Sequence, residues 1–122
     1  MAHFLVIDDD ANFRGMLSAV LQNEHFVVRE ASSAKAALEI LKNDYISFVI
    51  TDIVMPDMDG LELIMAIKES WPETPVIAMS GGAEFLPPDR LLKVAEKLGA
   101  CRILQKPFQI TELLDKVYSV VS

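Results

Sequence analysis

Three consecutive aspartates, Asp8, Asp9 and Asp10, directly follow the apolar run at residues 4–7, and a fourth, Asp52, ends a second run at residues 48–51. Two further short runs close on single polar groups. Residues 76–79 end on Ser80, followed by Gly81 and Gly82, and residues 102–105 end on Lys106, followed by Pro107. Carboxylates brought together from adjacent strands, about 4.8 Å apart at the backbone, repel strongly in a partly dry cleft. A hard divalent cation with oxygen ligands is the simplest resolution. Magnesium suits it, because it uses one or two carboxylates, keeps several waters and leaves room for phosphate oxygens. Lys106 adds a positive charge and Ser80 a hydroxyl, which together make a place for an anion to land on one carboxylate. A carboxylate nucleophile beside a metal, a lysine and a hydroxyl is a phosphoryl-acceptor arrangement.

That chemistry requires the four polar ends to meet, and the hydrophobic pattern says how. Short apolar runs alternate five times with helical stripes. The strands expected are residues 4–7, 26–29, 48–51, 76–79 and 102–105. Between and after them, apolar residues recur at helical spacing: Phe13, Met16, Leu17, Val20 and Leu21; Ala34, Ala37, Leu38 and Leu41; Leu61, Ile64, Ile67 and Trp71. The fourth stripe, Leu91, Ala95 and Leu98, has Pro88 for its first turn and Gly99 as its breaker. The last is Ile110, Leu113, Leu114, Val117 and Val121. Strict alternation implies an α/β fold, a five-stranded parallel sheet doubly wound by five helices. Ligands of such sheets bind outside the carboxyl ends of the strands. Strands one, three, four and five carry the polar ends, and these are contiguous in the order 2-1-3-4-5. Strand two, ending in Glu30 and Ala31, offers little.

Other residues read more simply. Asp10 is placed to cap the first helix. Asp57 and Asp59 read as turn residues ahead of Gly60; an EF-hand alignment through them puts Ala66 in the bidentate glutamate slot and fails. Ser80-Gly81-Gly82 is no P-loop, since no Gly-Lys-Ser/Thr follows. His3 and His25 lack metal-ligand spacing, and Met55, Met58, Met65 and Trp71 read as packing residues. The 122 residues fit one domain, 1–122, and none of its apolar runs is long enough to span a bilayer. The net charge of −7 gives no basic footprint for a phosphate backbone, which argues against direct nucleic-acid binding. The single cysteine, Cys101, reads as a small buried hydrophobe; with no secretory leader pattern it points to the cytoplasm.

Four segments, in order and in register, carry a family resemblance: Phe4-Leu5-Val6-Ile7-Asp8-Asp9, Thr51-Asp52-Ile53-Val54-Met55-Pro56-Asp57-Met58-Asp59-Gly60, Met79-Ser80-Gly81 and Lys106-Pro107-Phe108. The chain resembles the receiver domains of two-component response regulators over essentially its whole length. The resemblance implies that Asp52 is the phosphoacceptor. It also implies that Asp8, Asp9, Asp52 and the backbone carbonyl of Val54 hold magnesium. Ser80 would contact the phosphoryl oxygens, Lys106 would pair with the phosphate, and the Lys106–Pro107 bond would be cis. A histidine kinase or phosphotransfer protein would supply the phosphate, and the switched surface would control a protein partner.

Two departures bear on that output. The aromatic residue common three positions before the strand-five lysine is Ile103 here, and residues 81–87 form a longer connection with two glycines. The expected partner surface is the face of helix four, strand five and helix five, with Phe85, Leu86 and Ile103 as apolar contacts. A start at methionine favours a free-standing domain or an N-terminal receiver. A pseudo-receiver scaffold would lack one or more pocket residues, and a metal-dependent hydrolase would need a cap domain; neither fits. The chain is expected to be no enzyme toward a separate substrate, catalysing only its own phosphorylation and dephosphorylation.

Overall fold

Side chains alternate between the two faces of a strand, so a strand covered by helices on both sides must be apolar at every position. The central strands obey this except at their ends, where β3 and β4 carry the buried polar residues Thr51, Asp52 and Ser80. In the computed structural model, which describes residues 2–55, 60–81 and 88–121, the elements run β1 (His3–Ile7), α1 (Ala11–Asn23), β2 (Val27–Ala31), α2 (Ala34–Asn43), β3 (Phe48–Asp52), α3 (Gly60–Ser70), β4 (Val76–Ser80), α4 (Pro88–Leu98), β5 (Arg102–Gln105) and α5 (Ile110–Val121). All strand pairs are parallel, and the sheet order is β2-β1-β3-β4-β5. The expected α/β architecture is the one observed.

Each face of the sheet has its own core. Leu5, Ile7, Val49, Val76 and Ala78 pack with Ala34, Ala37 and Leu41 of α2, Leu63, Ile64 and Ile67 of α3, and Leu91, Leu92 and Ala95 of α4. Phe4, Val6, Ile50, Ile77, Met79 and Leu104 pack on the opposite side with Leu17 and Leu21 of α1 and Leu113 and Val117 of α5. Asp52 continues the alternation of Phe48 and Ile50, which directs it to the side of α1 and α5.

Local chemistry moved some boundaries. Phe26, read as the first residue of the second strand, belongs to the end of α1. Its N–H donates to the Leu21 carbonyl (3.2 Å) and the His25 N–H to that of Gln22 (2.9 Å). His25 sits at φ 69°, so this is a Schellman cap with histidine where glycine is usual. The ladder starts at Val27 and extends through Glu30 and Ala31, which pair with Val6 and Ile7. Met16 and Ile110, expected inside, are exposed. Buried Leu17, Ser18 and Leu21 centre the inner line of α1, and Met16 lies about 100° round from Leu17. Cys101 is half-buried rather than buried, and its Sγ lies 3.4 Å from the Val76 carbonyl oxygen, to which it donates. Gly99 ends α4 at φ 125°, as its residue type anticipates.

Candidate phosphoacceptor site

The carboxyl ends of β1 and β3 deliver two buried carboxylates side by side. Asp8 is 1% exposed and Asp52 7%. Asp8 leaves the sheet with its N–H still donating to the Ala31 carbonyl (3.2 Å). Its Oδ1 accepts the Asp10 N–H at 3.0 Å, and its Oδ2 accepts Lys106 Nζ at 2.9 Å. Asp10 is engaged elsewhere. Its Oδ1 accepts the N–H groups of Asn12 (3.0 Å) and Phe13 (3.2 Å), the N-cap of α1 expected of it. Asp9 is exposed at the mouth. One carboxylate oxygen from each of Asp8, Asp9 and Asp52 lies within 4.8 Å of the others.

Asp52 is fixed by its surroundings on both sides. Its Oδ1 accepts the Val54 N–H at 3.0 Å and its Oδ2 accepts Lys106 Nζ at 2.9 Å. The Thr51 hydroxyl donates to its carbonyl (2.8 Å), and the Ile53 N–H donates to the carbonyl of Met79 (3.1 Å). The start of α3 then presses on this strand end: the Gly60 N–H donates to the Ile53 carbonyl at 3.2 Å. A methyl group at Gly60 would stand 2.3 Å from Ile53 Cα and 2.7 Å from the Asp52 carbonyl oxygen. Only glycine permits that approach. Ser80 ends β4 fully buried, and its carbonyl accepts the Lys106 N–H at 2.9 Å, which brings the lysine to the site. The Lys106–Pro107 bond is cis.

Burial pushes the Asp52 carboxyl above the ordinary carboxylate range, against the opposing pull of the Val54 N–H and Lys106. For Lys106, burial works to lower the ammonium, but hydrogen bonds to Asp52 and Asp8 outweigh it and hold the group above the usual lysine value. Two buried carboxylates therefore share one ammonium, and Asp9 adds a third carboxylate beside them. Oxygen-only donors with that spacing fit a hard divalent cation.

The structure thus brings together Asp8, Asp9, Asp52 and Lys106, and places Ser80 on the neighbouring strand end. Val54 is present with its N–H on Asp52. Asp57, Asp59, Gly82, Phe85 and Leu86 lie outside the described residues. Ile103 is half-buried, packed against the core that includes α4. Two contributors went unread in the sequence. The end of β2 does take part: Arg14 Nε donates to Glu30 Oε1 (2.9 Å) while its NH1 nitrogen donates to the Asp8 carbonyl (2.8 Å). An arginine four residues after an N-cap aspartate, aimed back over the first turn, is the signal that could have found it. Phe13, taken for a core residue, lies with its ring centroid 4.2 Å from Lys106 Nζ.

Comparison with known proteins agrees with this geometry. Residues 4–118 match the family model described as response regulator receiver domain. The chain is 37% identical over 113 residues to the DNA-binding transcriptional regulator NtrC of Rhizobium meliloti, covering 93% of this chain and 22% of that protein. It is 34% identical over 119 residues to the transcriptional regulatory protein FixJ of Bradyrhizobium diazoefficiens, covering 98% and 56% respectively. Among solved structures, a CheY-like receiver domain protein from Methanospirillum hungatei superposes with a TM-score of 0.89 at 25% identity, covering 98% of this chain and 93% of that one. The response regulator TrrA of Thermotoga maritima, in complex with Mg(2+)-BeF, superposes with a TM-score of 0.85 at 27% identity, covering 99% and 100%.

The chain belongs to the response regulator receiver domain family, the phosphoacceptor switches of two-component signalling. It spans about a fifth of the NtrC relative and just over half of FixJ. Among the described residues, no helix is long and apolar enough to cross a membrane.

Proposed function

We propose that Asp52 accepts a phosphoryl group from a histidine kinase or phosphotransfer protein, with magnesium as cofactor, and that the change controls a protein partner. The observation that carries this is the Lys106 ammonium bridging Asp8 and Asp52 at 2.9 Å each, with Asp9 at the mouth of the same cluster. Asp8, Asp9, Asp52 and the Val54 carbonyl would hold the magnesium, which neutralises charge on the phosphoryl oxygens when bound. The Mg(2+)-BeF complex of the Thermotoga relative supports that assignment.

The chain's own groups do the rest. An Asp52 carboxylate oxygen attacks phosphorus as the bond from phosphorus to the donor histidine nitrogen breaks, and that nitrogen keeps the electron pair. Lys106, already within hydrogen-bond distance of Asp52, follows the negative charge onto a phosphoryl oxygen. The Val54 N–H holds Oδ1 and so orients the nucleophile. Water later attacks phosphorus, the Asp52 oxygen–phosphorus bond breaks and inorganic phosphate leaves, which restores the carboxylate; on this reading the domain catalyses its own phosphorylation and dephosphorylation. The new phosphoryl oxygen draws the Ser80 hydroxyl inward. Ile103 is β-branched, stiff and already packed toward α4. The change therefore passes mainly through residues 81–87 and the start of α4 to the α4–β5–α5 face, where the protein target docks. The acidic charge speaks against direct nucleic-acid contact by this domain, and membership of the receiver family supports a cytoplasmic location.

Incubation with acetyl phosphate and magnesium should add one phosphoryl mass, lost in Asp52→Asn and prevented by a chelator. Mass retained in Asp52→Asn, with the label still mapped to an acidic residue, would overturn the assignment.

A further inference from the structure

The partners of Lys106 are not all charged. Its Nζ lies 2.9 Å from Asp8 Oδ2, 2.9 Å from Asp52 Oδ2 and 4.2 Å from the centroid of the Phe13 ring. That ring is itself held. The Phe13 N–H donates to the capping Asp10 Oδ1 at 3.2 Å, which fixes the first turn of α1. The ring then meets Phe108, two residues beyond the lysine, edge-on at 5.7 Å with 76° between planes. An aromatic face attracts a cation through its quadrupole, most strongly where water is scarce. Here four-fifths of the lysine side chain is covered.

We infer that Phe13 is a positioning residue for phosphoryl transfer: its ring face holds the Lys106 ammonium over Asp52. The inference rests on the Asp52 reading. Its chemical logic lies in what changes during transfer. As the Asp52 oxygen–phosphorus bond forms and the donor's bond to phosphorus breaks, Lys106 must exchange a carboxylate oxygen for a phosphoryl oxygen. Asp8 is engaged by the same cluster, so neither carboxylate is a constant partner. The ring carries no net charge and takes no proton, so its attraction persists throughout and keeps the ammonium within reach of both acceptors. A leucine at this position would keep a smaller apolar side chain against Phe108 and leave the cation without that anchor.

The test separates ring electronics from ring shape. Phe13 is replaced by mono-, di- and trifluorophenylalanine, which drain the quadrupole stepwise at nearly constant size, and by Phe13→Leu and Phe13→Trp. The first readout is the rate of Asp52 phosphorylation by acetyl phosphate in saturating magnesium. The rate should fall with each fluorine to about a third to a tenth of the parent, match Phe13→Leu at the end of the series, and stay near the parent in Phe13→Trp. Melting temperature should fall by only a few degrees along the fluorinated series. The second readout needs no phosphate: ring current should shift the Lys106 ε-methylene protons upfield, and Phe13→Leu should abolish the shift. A flat rate series, with labelling still dependent on Asp52, overturns the role of Phe13 alone. An absent ring-current shift overturns it whatever the fate of the Asp52 assignment, which fails separately if Asp52→Asn keeps its label.

Discussion

Replacing Lys106 by methionine would remove the charge and keep most of the apolar stem, which isolates the electrostatic share of the pocket. Each of the two contacts at 2.9 Å is worth about 6 kcal/mol of attraction at an effective dielectric near 20, most of it offset by the cost of burying the charges. What remains measurable is the loss on deleting one partner of a buried cluster, about 3–5 kcal/mol. Because a fifth of the lysine side chain is exposed, the lower end applies. We expect Lys106→Met to lose about 3 kcal/mol near neutral pH, or roughly 10 °C in melting temperature for a domain this size.

The pH dependence gives the sharper check. Asp52 is raised in the folded state by burial, so its contribution to stability is full below the ordinary carboxylate value and lost as pH rises through the raised native one. Lys106 is raised too. Its contribution is full below the ordinary lysine value and disappears only in strong alkali, as pH climbs through the raised native one. At neutrality the parent therefore carries an unfavourable Asp52 charge that Lys106 partly cancels. Removing the lysine exposes that load, and the deficit should shrink as pH falls and Asp52 takes up a proton. Millimolar magnesium should also reduce it, by substituting for the missing charge. Urea unfolding at neutral and mildly acidic pH, with and without magnesium, would measure both effects at constant m-value. A deficit below about 1 kcal/mol, or one indifferent to both pH and magnesium, would refute the reasoning.

Two backbone positions give independent expectations. Gly60→Ala must displace the chain that follows Asp52, since its methyl would stand 2.3 Å from Ile53 Cα; we expect a loss of about 2–3 kcal/mol by urea unfolding and slower acetyl phosphate labelling. His25→Gly relieves a left-handed backbone at φ 69° and should raise stability by about 1 kcal/mol, read as a higher urea midpoint with labelling unchanged.

The polar strand ends were legible because a parallel sheet leaves few places for charge. Asp8, Asp52, Ser80 and Lys106 stand out against apolar strands; alternation implies the parallel sheet, and its observed order β2-β1-β3-β4-β5 brings their strand ends together. Apolar patterning said less where local hydrogen bonding decides. Phe26 looks like a strand residue because it is aromatic and precedes two valines, yet its N–H is claimed by Leu21. The pattern also cannot assign a direction to a helical side chain with two plausible neighbours. Phe13 lies on the apolar stripe of α1 and packs against the core there, but its position in the first turn puts its ring beside Lys106 as well. Arg14 is similar. Its role depends on the separation between Asp8, just past the end of β1, and Glu30 on the adjacent β2, 22 residues apart in the chain.

These contacts also explain how a fold of this size tolerates so much buried charge at one end. Asp8 and Asp52 are each held by a backbone N–H group as well as by Lys106. In the proposed transfer, the N–H bond to Asp52 Oδ1 is compatible with esterification at Oδ2, whereas the lysine bond to Oδ2 must be exchanged. On the proposed function, the backbone would keep the acceptor in place while the ammonium moves. A site assembled the opposite way, with mobile acceptors around a fixed cation, would have to rebuild its nucleophile at every turnover. Here the sheet fixes what must not move. On the proposed function, the long side chain of Lys106, steadied by an uncharged ring, is left to follow the charge.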